Sequence, residues 1–227
     1  MKYANPLASP SAWSEAVYFT PFVGDDYELG LIDGTRVLLL GESHYGTFSD
    51  EPGSGADCTQ YNFGDYTNDN YDFDQERQFF RKLPRILARN EHVTQMESAA
   101  AWRRIAYANF VQEFVGGHAR IRPSRNQWKR GQAALTEFAE KLRPDVVLVL
   151  GAQLWNHVTE GRPSNEAAIS AGRCDRKIWL IPHDQGFART SWIYHPSTNY
   201  ESLSSAMGVF AELLRRAAGG KALPASP

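Results

Sequence analysis

Between two glycines the chain gathers four side chains able to do chemistry: Gly41-Glu42-Ser43-His44-Tyr45-Gly46 supplies a carboxylate, a hydroxyl, an imidazole and a phenol. Glycines in such a run let backbone approach a ligand closely, and a carboxylate or imidazole can orient water or carry a proton. A second group, His195-Pro196-Ser197-Thr198-Asn199, places an imidazole before a proline that fixes the following turn. Each run also has a plainer use. The first fits a tight turn whose polar residues face water; the second fits a helix start with Ser197 or Asn199 as N-cap and Glu201 in the first turn.

The elements that would carry these residues follow from apolar pattern. Arg36-Val-Leu-Leu-Leu-Gly-Glu42 and Asp145-Val-Val-Leu-Val-Leu-Gly151 are short apolar runs, as strands buried on both faces are. Ile105 to Phe110 is a further apolar run, and Lys177 to Pro182 and Ser191 to Tyr194 are two more strand candidates, the last running into His195. Helical spacing recurs at Phe79, Phe80, Leu83, Ile86 and Leu87, with a kink or break expected at Pro84. It returns over Asn126 to Leu142 and Ser202 to Ala217, and a helix is expected from Ala152 to Thr159. The segment 47–70 reads as a long loop, and Ser11 to Phe22 has only weak helical character. Strands alternating with helices imply a parallel sheet covered on both faces, with ligands at the C-terminal strand ends. Glu42, Asn109 and Gly151 stand at such ends.

Composition bounds the partners. With 42% hydrophobic and 22% charged residues in 227, the chain can bury a sizeable core, and one domain over residues 1–217 with a flexible tail at 218–227 is expected. A formal net charge of −2 gives no overall attraction to a polyanion, so nucleic-acid binding would need a local patch. Cys58 and Cys174 form no Cys-x-x-Cys pair, which argues against a thiolate zinc or iron–sulfur site. Free thiols, and the lack of a basic-then-apolar leader or an apolar run of about 20 residues, lead to the expectation of a cytoplasmic protein without a membrane partner.

Four pieces in order resemble the uracil-DNA glycosylase superfamily across residues 36 to 210. They are Gly41 to Gly46, Asn109 within Tyr107-Ala-Asn-Phe-Val111, Leu142-Arg-Pro-Asp-Val-Val-Leu-Val-Leu-Gly151, and His195-Pro-Ser197. The resemblance implies an α/β fold, a three-layer αβα sandwich around a central, mainly parallel four-stranded sheet. It implies N-glycosidic cleavage of a damaged or deaminated base, with Glu42 and His195 catalytic. Gly41, Ser43, His44, Tyr45, Asn109 and Ser197 would bind the base, Tyr45 standing where a tyrosine excludes a 5-methyl group. Asn199 stands at the position of the family's wedge and would contact DNA, and the local basic cluster adds Arg122 and Arg125 as further DNA contacts. No cofactor or metal is implied, and the partner would be DNA or a nucleobase-containing small molecule.

The sequence departs from that pattern in several places. The usual acid or amide two residues after the first glycine is Ser43, so the water-orienting role falls to Glu42. A leucine wedge is replaced by Asn199. Residues 47 to 76 hold eight acids and no Lys or Arg, whereas Arg120, Arg122, Arg125, Lys129 and Arg130 form a basic cluster that also reads as a solvated helix start. Two other classes fit parts of the chain: a catalytically silent base-binding relative, and an erythromycin-esterase-like hydrolase suggested by Leu40-Gly-Glu-Ser-His-Tyr-Gly46. His183-Asp184 reads as a turn with a polar tip before it reads as a metal or acid–base pair. Tyr61 and Phe63 are candidates for stacking a base.

Overall fold

The computed structural model describes residues 5–49, 51–118, 121–159, 162, 164, 166–171 and 174–219. The chain is an α/β protein with one mixed sheet. Its strands are β1 (Phe22–Val23), β2 (Val37–Gly41), β3 (Ile105–Asn109), β4 (Val146–Leu150), β5 (Glu166–Ala171), β6 (Cys174–His183) and β7 (Gly186–Ile193). The order is β1-β3-β2-β4-β7-β6-β5, seven strands where four were expected. The middle four, β3-β2-β4-β7, are parallel, while β1, β6 and β5 add antiparallel edges.

All residues of β2, β3 and β4 are buried, because helices cover both sheet faces. Alternate residues divide between two cores. Val37, Leu39, Tyr107 and Leu148 face α1 (Cys58–Phe63), α2 (Gln78–Ala88), α3 (Gln95–Arg103) and α6 (Leu203–Gly219). Leu38, Leu40, Ala108 and Val149 face α4 (Arg125–Leu142), α5 (Ala152–Val158) and the early residues Trp13 and Val17.

Several expectations change. The break at Pro84 does not occur: α2 runs through it, and burial of Leu83, Ile86 and Leu87 against the sheet outweighs the lost helix bond. The long loop 47–70 contains α1 and a 3-10 turn at Gly64–Thr67, anchored by buried Phe63 and Tyr66. The stretch 11–22 forms only a short 3-10 turn at Pro10–Ala12 before β1. The helix expected to end at Ala217 continues to Gly219, so the first two residues of the expected tail are helical; 220–227 lie outside the described residues. Among the described residues no helix is long and apolar enough to cross a membrane.

Candidate functional site

The site is built where the parallel strands end. Gly41 pairs with Asn109 in the β2–β3 register, and the ladder continues past both strands. Phe110 and Val111 donate to the carbonyls of Gly41 and Glu42 (2.9 Å each), and Gly46 donates to Gly116 (2.7 Å). The loops after β2 and β3 are thus zipped together, with the Gly41–Gly46 run held in extended form. Gly41 lacks a side chain for a reason: a methyl there would overlap the Tyr107 hydroxyl and Asn109 Oδ1. Gly41→Ala should therefore cost about 1–3 kcal/mol by overpacking, read as a fall in the urea midpoint. A wild-type midpoint would mean that Tyr107 and Asn109 do not pack there.

Asn109 is buried and its Oδ1 accepts from the Tyr107 hydroxyl (3.1 Å), which leaves its amide nitrogen as the donor on offer. Burial raises the Tyr107 pKa, so the phenol remains protonated as a donor. Phe63 stacks on Tyr107 at 4.0 Å, and Phe79 meets Tyr107 edge-on at 6.4 Å.

His195 follows β7, two residues past its last strand residue. The Ser197 backbone N–H donates to His195 Nδ1 (3.3 Å), and the Ser197 hydroxyl lies 2.7 Å from the same nitrogen. A nitrogen that accepts from a backbone N–H carries no proton, so the neutral ring bears its hydrogen on Nε2. Burial, then the positive charge of Arg122, lowers the His195 pKa to about 4. The turn is closed by Thr198, whose backbone and hydroxyl both donate to the His195 carbonyl (2.9 and 2.8 Å). Helix α2 supports it from below: Phe79 stacks on the imidazole at 5.2 Å, Lys82 donates to the Thr198 carbonyl (2.8 Å), and the Gln78 amide meets Asn199 (2.5 Å).

Arg122 joins the two ends. Its Nη1 donates to both oxygens of Glu42, at 3.0 and 3.2 Å, while its charge acts on His195. Buried Pro123 and the Ser124–Gln127 capping box at the start of α4 fix its backbone. Gly41, Glu42, Asn109 and His195 therefore share one edge of the sheet, linked through Arg122, Tyr107 and Phe79.

No family model matches the chain, and no curated protein matches it.

Other expected residues stand elsewhere around this edge. His44 turns into the wall, with Nε2 2.8 Å from the Thr59 hydroxyl and the ring against Phe19 (4.8 Å). The Ser43 hydroxyl is buried without a hydrogen-bond partner among the described residues. Tyr45 is 41% exposed, and Ser197, Asn199 and Arg125 are exposed too. In the basic cluster Arg130 pairs with Glu113, and Arg120 lies outside the described residues. His183-Asp184 is the polar tip of the β6–β7 hairpin, where Asp184 takes a forked pair from Arg143 (2.8 and 2.6 Å). Among the described residues no group of three or more His, Cys, Asp or Glu could hold a metal ion.

What holds His195 has no sign in the sequence. Arg176 on β6 and Glu201 form a buried ion pair at 2.7 Å, with the guanidinium 4.0 Å from the Trp192 ring and 5.2 Å from Tyr194. Glu201 also accepts from the Tyr194 backbone N–H (2.9 Å) and the Ser205 hydroxyl (2.9 Å). A cavity of about 10 Å³, room for one water, lies between this carboxylate, Lys82 and His195.

Two histidines in this region set an acid limit. Burial lowers the pKa of His44 to about 4, and His195 falls to about 4 as well, each from 6.5. Between these values the unfolded chain holds more protons than the folded one. Their stabilising contribution is complete above about pH 6.5 and is lost as pH falls through 4. Discounted for partial exposure, the loss is about 2 kcal/mol for each. Urea midpoints should drop between pH 7 and 4.5, and His44→Asn should flatten that drop. Equal slopes for the two proteins would contradict it.

Proposed function

We propose that the protein is an N-glycosyl hydrolase of the uracil-DNA glycosylase type, cleaving a damaged or deaminated nucleobase from its sugar in DNA or a smaller nucleotide. The observation that carries this reading is the neutral His195, locked by Ser197 as an Nε2–H donor at the same sheet edge as Glu42 and Asn109. In such a cleavage the C1′–N bond breaks with its electron pair leaving on the base. His195 Nε2–H and the Asn109 amide would donate to oxygens of the departing base, where negative charge grows. The Glu42 carboxylate would offset the positive sugar and orient a water, whose oxygen bonds to C1′. That water's proton passes to Glu42 and then to solvent, and the base anion takes a proton from solvent.

The four parallel central strands β3-β2-β4-β7, covered by helices on both faces, support the resemblance to that superfamily and its αβα sandwich. We place its action in the cytoplasm, where the free thiols of Cys58 and Cys174 persist.

One observation favours a second reading, a silent binder of bases: the Glu42 carboxylate is already engaged by Arg122. Incubation with single strands bearing uracil or hypoxanthine separates the two. The hydrolase releases free base, and Glu42→Gln abolishes release. A silent binder retains the strand without release, whether or not Glu42 is present. Neither release nor binding would remove both readings.

A further inference from the structure

We propose that Arg122 is a specificity-determining residue of this site: its guanidinium caps Glu42 until a phosphate of the substrate draws it away, so that a base flanked by phosphodiester is acted on in preference to a free nucleoside. The inference rests on the reading of the site as one that takes a base-bearing ligand.

The asymmetry of the pair carries the argument. The Glu42 side chain is only 15% exposed, sunk at the end of β2, while that of Arg122 is 58% exposed. One nitrogen of the guanidinium serves both carboxylate oxygens, so the planar fork is not spent on a two-nitrogen grip. The guanidinium is the solvent-facing end of the pair and so the end open to competition, and a phosphodiester offers the same fork a partner of equal charge. The backbone under Arg122 is fixed by Pro123 and the α4 cap, so the exchange needs only side-chain rotation.

Capping matters to the chemistry. With Arg122 on its oxygens, the Glu42 charge is largely neutralised toward a sugar that must become cationic. Once a phosphate takes the guanidinium, the carboxylate faces that sugar uncapped. A free nucleoside has no anion with which to make the exchange. Arg125 and Lys129, both exposed on the first turns of α4, add positive charge to the helix start that follows Arg122.

The test is a binding cycle with a five-nucleotide single strand carrying one deoxyuridine, followed by fluorescence anisotropy. The four proteins are wild type, Glu42→Gln, Arg122→Ala and the double variant. Removing the competing carboxylate should tighten binding about two- to fivefold when Arg122 is present, and should change nothing when it is absent. Arg122→Ala should also lower the slope of log affinity against log salt by about 0.7, one single-strand phosphate contact. Equal tightening in both backgrounds would reduce the effect to general charge and overturn the proposal, as would absence of strand binding by all four. For an active wild type, the preference for strand over deoxyuridine in kcat/KM should shrink in Arg122→Ala. A wild type that binds the strand but releases no base defeats the hydrolase reading alone, because the cycle is read from affinity.

Discussion

For the proposed glycosyl hydrolase, His195→Ala should lower kcat/KM for base release by about 10²- to 10³-fold, the usual effect of removing one preorganised donor from the place where negative charge develops. The loss falls mainly on kcat, since the donor meets full charge only as the bond breaks. The donor needs no proton uptake above about pH 4, because the ring is neutral there and Nε2 carries the hydrogen. The step attributed to His195 therefore stays level on the acidic side until the folded protein itself begins to fail. A loss below about tenfold, or a loss confined to KM, would move His195 out of the reaction and into binding.

Glu201→Ala lowers stability by about 3–5 kcal/mol, because it strands a charge in the interior. Arg176 and Glu201 side chains are 1% and 6% exposed, so the guanidinium left behind stays largely buried and loses its carboxylate. The same change removes the acceptor of the Tyr194 N–H, one residue before His195, so activity should fall even in protein that remains folded. The double variant Arg176→Met with Glu201→Leu should recover much of the stability, since apolar replacement of both partners removes the desolvation cost along with the attraction. Urea denaturation checks both. A loss under about 1 kcal/mol for Glu201→Ala would show the pair to be hydrated.

What could be read in the sequence were the features whose cause is local. The apolar runs of β2 and β4 stood out because helices cover both sides of those strands, and α4 stood out because one stripe alone is buried. Strand β5 gave no such run, since only Ile169 among its residues is buried, and the first half of β6 is mostly exposed. Helix α3 has a local sign in its capping box, Thr94 with Glu97, but no apolar stripe to go with it. Pro84 misled because its local penalty is visible in sequence while the packing that offsets it is not.

The same division runs through the site. Gly41, Glu42, Asn109 and His195 could be picked out because each follows or ends a strand. Their supports could not. Phe79 looked like one more core residue of an apolar period, yet it stacks on His195 across 116 residues of chain. Arg122 looked like part of a basic patch, yet its partner Glu42 is 80 residues earlier. The Arg176–Glu201 pair joins β6 to the segment just before α6, and although those elements were legible, nothing local to either residue marks the other as its partner. Long-range pairs of this kind appear only once topology is known.

The most direct measurement is the titration of His195 by its imidazole NMR signals, in wild type and in Arg122→Ala. If the loop after β2 and the loop after β7 face each other through Arg122, the wild-type ring is neutral with its hydrogen on Nε2, titrates near 4, and titrates higher once the guanidinium is gone. A ring that titrates near 6.5, as in an open peptide, and does not respond to loss of Arg122 would put the imidazole and the carboxylate in separate surroundings.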